Sequence, residues 1–426
     1  MNMAGPSRRG FLQLAALSGL SALTGCASTT LLVRPKARVV VVGGGYGGAT
    51  VAKYLTMLAS DLEVILVEEN RRTYSCPGSN EVLAGWRDLD RLELPLAALA
   101  SNHPVRIVHA RATGIDTRRC LLTLADGATL RYDRLILSPG IALRWDAIEG
   151  YDEDTSRSLP HAWKAGEQTL LLRDQLRAMD DGGVVLITVP ASPYRCPPGP
   201  YERASLIAHY LTRHKPRSKV IILDAKTQFS KQALFQHGWQ ELYPNRIEWV
   251  SAEKEGRIDH IDARSRTVHT EFNSHRADVL NVIPPQKAGW LAEAAGLTDA
   301  SGWCPVHPVT FESTLQPGVH VIGDACIATP MPKSAFSANS QAKVCAMAVI
   351  DLIAGRPPGP PSLINHCYSL LAPDYAISIN GVYEYSQPQQ ELVAVAGGET
   401  PMDADRRKEA EFALSWRVNI EADSFR

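Results

Sequence analysis

An α/β architecture is the expectation for this sequence: two Rossmann-like dinucleotide-binding-type domains, the first discontinuous in the chain, then a smaller C-terminal α+β domain. Three observations carry it. An apolar strand over residues 38–42 runs through Gly43-Gly44-Gly45-Tyr46-Gly47-Gly48 into a helical stretch, 49–59. A second α/β unit occupies 146–285, with strands at 184–189 and 219–223. Arg356-Pro357-Pro358-Gly359-Pro360-Pro361 then breaks the pattern before a final segment of strands and one helix. At 426 residues the chain is long enough for each part to bury a core.

In chain order, Ser7-Arg8-Arg9-Gly10-Phe11-Leu12-Gln13 precedes an apolar run over 14–23 that is too short to span a bilayer. This is the pattern of a twin-arginine export signal, assigned to residues 1–30, and it places the mature protein in the periplasm. Leu23-Thr24-Gly25-Cys26 resembles a lipobox and predicts a lipid anchor at Cys26; ordinary cleavage near Ala27 and Ser28 is the alternative. In an oxidising compartment the eight cysteines can form disulfides.

The glycine turn follows the dinucleotide fingerprint. Gly43 allows the tight turn, Gly45 lets backbone approach a pyrophosphate, and Gly48 lets helix and strand pack closely. A second strand over 63–67 ends at Glu68, placed to accept hydrogen bonds from a ribose hydroxyl. Two later segments say which dinucleotide is meant. The strand and turn from Tyr132 to Gly140 resemble those that close the first half of the FAD domain in two-dinucleotide flavoproteins, and Val319-His320-Val321-Ile322-Gly323-Asp324 resembles their late strand whose Asp contacts the flavin ribityl chain. FAD is therefore the expected cofactor, held by Gly43, Gly45, Gly48, Glu68, Gly140, Gly323 and Asp324, and the first domain comprises 31–145 and 286–356.

In the second unit the strand at 184–189 feeds Pro190-Ala191-Ser192-Pro193-Tyr194-Arg195-Cys196-Pro197-Pro198. Prolines lack the N–H groups that would bind phosphate, and their fixed φ obstructs the helix entry of a fingerprint. A site for NAD(P)H is not expected there.

Charge excludes another class. Lys plus Arg, 44, balances Asp plus Glu, 45, without long runs of either sign, so no nucleic-acid footprint is present. No CxxC, CxxCH or clustered Cys/His spacing occurs, so no metal site and no haem attachment are expected within this chain. Past residue 333 the pattern predicts an amphipathic helix over 334–355, then a C-terminal interface domain over 357–426. That domain has strands over 375–385 and a helix over 407–420, whose Phe412, Trp416 and Ile420 stripe reads as core.

Five segments taken together carry a family resemblance: Gly43 to Gly48; Tyr74-Ser75-Cys76-Pro77-Gly78-Ser79-Asn80-Glu81-Val82; His161-Ala162-Trp163-Lys164-Ala165-Gly166; the stretch from Arg195 to Ser205; and Gly323 to Lys333 with Ser337-Ala338-Asn339-Ser340-Gln341. They resemble the flavoprotein subunit of flavocytochrome c sulfide dehydrogenase, a glutathione-reductase-like flavoprotein related to sulfide:quinone oxidoreductases. The resemblance implies a thioether from Cys76 to the flavin, although Pro77-Gly78 stands where the family pattern has a bulkier pair. It implies a redox-active disulfide between Cys196 and Cys367, with Cys304 as the rival partner, and an acid, Glu202, beside it. Cys120, Cys326 and Cys345 read as small buried side chains. The implied reaction is FAD-dependent oxidation of sulfide to persulfide or zero-valent sulfur, with electrons passed to a separate c-type cytochrome. A sulfide:quinone oxidoreductase and an accessory thiol-maintaining flavoprotein are the alternatives.

Overall fold

The computed structural model describes residues 35–426; Arg8, Arg9 and Cys26, with the export and lipidation readings that depend on them, lie outside the described residues. Residues 36–426 form one compact unit.

The first domain is built on β1 (Ala37–Val42), α1 (Tyr46–Leu58), β2 (Leu62–Val67), α2 (Ser79–Leu83), β3 (Val105–Val108) and β4 (Arg134–Leu137). Val39 to Val41 of β1 and Ile65 and Leu66 of β2 are wholly buried, as continuous apolar runs are in a parallel sheet covered on both faces. The strands pair in parallel in the order β4-β1-β2-β3, and a strand from far along the chain, Val319–Val321, adds beside β4. This pairing makes the domain discontinuous.

The second domain follows with α3 (Glu167–Ala178), β5 (Val184–Val189), α4 (Gly199–His214), β6 (Lys219–Asp224), α5 (Gln232–Leu242), β7 (Ile247–Val250) and β8 (Val279–Val282). Its parallel order is β7-β6-β5-β8. Both predicted strands of this unit are present, and the Cys196 loop emerges from the carboxyl end of β5, where ligands gather in open α/β sheets.

The chain returns to the first domain through β9 (Val319–Val321) and α6 (Ala335–Ile353), whose N-cap Ser334 accepts the backbone N–H of Ser337. The last segment is an antiparallel sheet, β10 (Ser362–Ala372), β11 (Tyr375–Ser386) and β12 (Glu391–Glu399), closed by α7 (Arg406–Phe425). The helix runs further than its pattern suggested because its end is anchored: Phe425 is buried edge-on against Tyr46, with ring centroids 5.5 Å apart.

Two expectations need correction. The Phe412, Trp416, Ile420 stripe is not all core, since Ile420 is buried but Phe412 is 53% exposed. Cys304, the rival disulfide partner, sits wholly buried in the short strand Cys304–Pro305, paired with Cys326–Ile327. Cys326 and Cys345 are buried, whereas Cys120 is half-buried with φ +53°.

Candidate active site

One cavity gathers segments from all three domains. Its walls include Gly45, Cys76 and Gly140 from the first pass through the first domain, Cys196 and Glu202 from the second domain, Gly323 and Asp324 just after the returning strand, and Cys367 and Arg417 from the C-terminal module. Gly43, Gly48 and Glu68, the other expected cofactor residues, are not among the lining residues.

The glycine turn fits a dinucleotide for a structural reason. Gly43 has φ +102°, and a Cβ on Gly48 would lie 1.8 Å from the Gly43 carbonyl oxygen, so both positions require glycine. A Cβ on Gly45 would meet nothing within 4 Å, which leaves the start of α1 open to a phosphate. Glu68 Oε2 accepts the Gly44 N–H at 2.7 Å, and Oε1 accepts from the backbone and side chain of Asn70. The acid thus braces the turn itself. On the far wall Asp324 Oδ1 is buried without a hydrogen-bond partner, a free acceptor suited to a ligand hydroxyl. Burial raises the Asp324 carboxyl, and the Arg195 and Lys333 charges act against that rise. The open helix start and the unpartnered Asp324 together fit FAD.

Cys76 precedes the left-handed Gly78, φ +86°, which leads into α2. A Cβ at Gly78 would come within 3.0 Å of Arg417 Nη1 and 3.2 Å of Leu92, so the glycine that departs from the family pattern admits the Arg417 side chain. Arg417 pairs with the buried Glu81, whose other oxygen is held by Arg87 at 2.9 Å.

The second domain supplies the stiffest part of the wall. Cys196 has φ +56°, its N–H donates to the Lys333 carbonyl at 2.8 Å, and its carbonyl accepts the Gly199 N–H at 2.8 Å. Tyr194 OH donates to the Pro197 carbonyl at 2.8 Å and fixes the other side of the loop. Cys367, on β10, donates to Asn365 Oδ1 at 3.4 Å, an oxygen that also accepts from Ser334 at 2.7 Å. Both cysteines are unbridged thiols in the structure. Burial pushes both thiols up; for Cys196 the neighbouring Cys367 and Glu202 add to the rise, and for Cys367 a bond from Ser334 and the Lys231 charge oppose it. Cys304, the rival partner, is buried beside Cys326 and outside this lining.

Glu202, in the first turn of α4, is raised by burial above the usual carboxylate range, despite bonds from the Leu370 N–H at 2.9 Å and Asn80 Nδ2 at 2.8 Å. Asn80 also accepts from Arg203 at 3.0 Å, and Arg203 continues to Asn281 Oδ1 at 2.9 Å and to the carbonyls of His161 and Ala162. Burial lowers the Arg203 guanidinium to about 10. Asn80, Arg203 and Arg417 were not singled out from the sequence. The first two lie inside the segments that carried the family resemblance, and that was the available signal.

Comparison with known proteins agrees with this arrangement. Residues 169–284 match the family model described as sulfide dehydrogenase [flavocytochrome c] flavoprotein chain, central; 359–425 match flavocytochrome c sulphide dehydrogenase, flavin-binding; 37–171 match pyridine nucleotide-disulphide oxidoreductase. The sulfide dehydrogenase [flavocytochrome c] flavoprotein chain of Chlorobaculum thiosulfatiphilum is 56% identical over 45 residues, which is 11% of this chain and 94% of that sequence. The mitochondrial sulfide:quinone oxidoreductase of Dictyostelium discoideum is 22% identical over 353 residues, 78% of this chain and 73% of that protein. The solved sulfide:quinone oxidoreductase of Aquifex aeolicus superimposes with a TM-score of 0.69 at 18% identity, covering 91% of this chain and 92% of its own, and shares the fold. With its glycine turn, its unpartnered Asp324 and these matches along the chain, the protein belongs to the flavoprotein family of flavocytochrome c sulfide dehydrogenase, FAD-containing sulfide-oxidising flavoproteins related to the sulfide:quinone oxidoreductases.

Proposed function

We propose that this chain oxidises hydrosulfide at a Cys196–Cys367 disulfide and passes the electrons, through bound FAD, to a separate c-type cytochrome. The observation that supports it most is the meeting of Cys196 and Cys367, from different domains, with Glu202 in the cavity whose other wall fits FAD. In the oxidised protein, hydrosulfide attacks one sulfur; the Cys196–Cys367 bond breaks, a sulfur–sulfur bond to the substrate forms, and the electron pair of the broken bond leaves on the other cysteine as thiolate. Glu202, its carboxyl raised by burial, can take the proton of hydrogen sulfide or return one to the thiolate. Arg195 and Arg203 give the cavity positive charge that favours an entering anion. When bound, FAD would supply the acceptor for the electron pair. Gly45 and the start of α1 would hold its pyrophosphate, Asp324 a hydroxyl, and Cys76 the ring through a thioether. The product is a persulfide or zero-valent sulfur. The twin-arginine pattern at Arg8 and Arg9 supports export to the periplasm, with Cys26 as the site of a lipid anchor.

Anaerobic sulfide titration of the native protein tests the reading. Cys196→Ser and Cys367→Ser should each keep FAD and lose sulfide-driven bleaching, because either removes the electrophilic bond. Bleaching at the wild-type rate in either variant would overturn it. Transfer from the sulfide-reduced protein to a c-type cytochrome should outpace transfer to a soluble quinone analogue; the reverse order would assign the acceptor to the quinone class.

A further inference from the structure

Lys231 is a buried lysine that none of the motifs accounts for. Only 1% of it is exposed, and its backbone is left-handed at φ +60°, a conformation that L side chains rarely adopt, where it caps α5. Nζ donates to Ser369 Oγ at 2.8 Å and lies 5.6 Å from the centre of the Phe235 ring; no carboxylate pairs with it among the described residues. The backbone N–H is held by Glu399 Oε1 at 2.8 Å. A buried ammonium in this state needs a negative charge nearby to be worth its desolvation.

Glu202 and Glu399 act on it, and the strand that holds its hydroxyl partner can add a further negative charge when Cys367 leaves as thiolate. Along β10, Asn365 and Ser369 are buried while Ile364 is exposed, so 365, 367 and 369 share the inward face. Cys367 therefore stands two residues from the Lys231 anchor on the same face, and the Lys231 charge acts on Cys367 first, then on Glu202 and Cys196.

We propose that Lys231 is the counter-cation of the leaving sulfur, a positioning residue that holds Cys367 as the thiolate when hydrosulfide breaks the Cys196–Cys367 bond, so that Cys196 carries the persulfide. The inference rests on the disulfide reading above. Charge balances: one hydrosulfide anion enters, one thiolate anion forms on Cys367, and the substrate proton stays on the Cys196 persulfide or moves to Glu202. Lys231 lies outside the cavity lining and meets no substrate. The other titratable groups acting on Lys231 or Cys367 are Cys196 on the loop after β5, Glu202 on α4, Tyr383 on β11, Glu399 on β12 and His366 on β10. Varying Lys231 alone leaves them in place.

The test uses holoenzyme reduced with dithiothreitol and freed of it anaerobically, then treated with iodoacetamide across a pH series, with the Cys367 peptide quantified by mass spectrometry. In Lys231→Met the thiolate should form at least one pH unit higher, so that alkylation at fixed pH falls about tenfold, while Lys231→Arg should stay within about threefold of wild type. Alkylation of Cys120 serves as the reference and should not move. A wild-type Cys367 profile in Lys231→Met, with only thermal stability reduced, would overturn the proposal in favour of a packing role. Should Lys231→Met fail to retain FAD, Ser369→Ala, which removes the anchor of Nζ, is expected to shift the profile in the same direction, and an unchanged profile there overturns it equally. A separate digest of the oxidised protein shows whether the Cys196–Cys367 peptide exists. Its absence would sink the disulfide reading, whereas its presence with an unmoved Lys231→Met profile would sink only the role of Lys231.

Discussion

Glu202 Oε1 accepts the backbone N–H of Leu370 at 2.9 Å, which ties the acid at the start of α4 to the strand that carries Cys367. Two domains are thereby locked in register at the reacting pair. Glu202→Gln preserves the shape and the acceptor oxygen for Leu370 but cannot carry a proton. Sulfide-driven flavin reduction should fall by about 100-fold with FAD content unchanged; stopped-flow bleaching at the wild-type rate would take Glu202 out of the reaction. The stability sign follows from the raised carboxyl. Its contribution is full below the unfolded value and lost as pH rises through the folded one, so the variant should lose less Tm than wild type as pH is raised past the ordinary carboxylate range.

The Cys76 side chain faces the same cavity as Asp324 and Gly45. If the thioether forms, flavin stays with the polypeptide after acid precipitation, and Cys76→Ala releases it into the supernatant while still binding FAD before denaturation, because the glycine turn is intact. The measurement is flavin absorbance in pellet and supernatant. Complete release from wild type would end the covalent assignment.

What the sequence made legible follows the range of the forces involved. Gly43, Gly45 and Gly48 were readable because a phosphate turn is a local motif whose three steric demands lie within six residues. Cys196 and Cys367 could be paired only through family resemblance, since what joins them is the packing of α4 against β10. Lys231 was not readable at all. In Phe229-Ser230-Lys231-Gln232 it has the look of a solvated surface residue, and only the arrival of β10 buries it. Phe412 was misread for the converse reason: a helical apolar stripe records a face, not whether anything covers it.

The loop after β5 bears on the electron donor. Lys226 Nζ pairs with the buried Asp224 at 2.6 Å, reaches the Pro190 carbonyl at 3.3 Å and lies 4.9 Å from the centre of the Tyr194 ring. These side chains, with Pro190 and Pro193, occupy the carboxyl end of the second sheet where a phosphate-binding turn would need free N–H groups. NADH and NADPH are expected not to bleach the flavin at a useful rate under anaerobic conditions. Rapid stoichiometric bleaching by either would show that this end of the sheet still admits a nucleotide.

Asp423 is one of the points that fasten the C-terminal helix to the first domain. Its carboxylate accepts from Tyr54 OH at 2.8 Å, Asn339 Nδ2 at 2.8 Å and Lys343 Nζ at 2.7 Å, while Lys53 Nζ donates to the Asp423 carbonyl at 3.0 Å. Burial raises the carboxyl, but the bonds from Lys343, Asn339 and Tyr54 outweigh it and leave the group below its ordinary value. A depressed carboxyl contributes stability that is present above the unfolded value and lost as pH falls through the folded one. Asp423→Asn keeps one acceptor oxygen and loses the charge, so at neutral pH it should cost about 2 kcal/mol, the scale of hydrogen bonds to a charged group. The cost should shrink once wild-type Asp423 is itself protonated in acid. Helix α7 carries Arg417 and Trp416 into the cavity wall, so the same variant should also release FAD sooner in a thermal ramp followed by flavin fluorescence. Equal Tm values for the two proteins at neutral pH would show that the helix is held down without the Asp423 charge, by Phe425, the Arg417–Glu81 pair and the Lys53 bond to the Asp423 carbonyl.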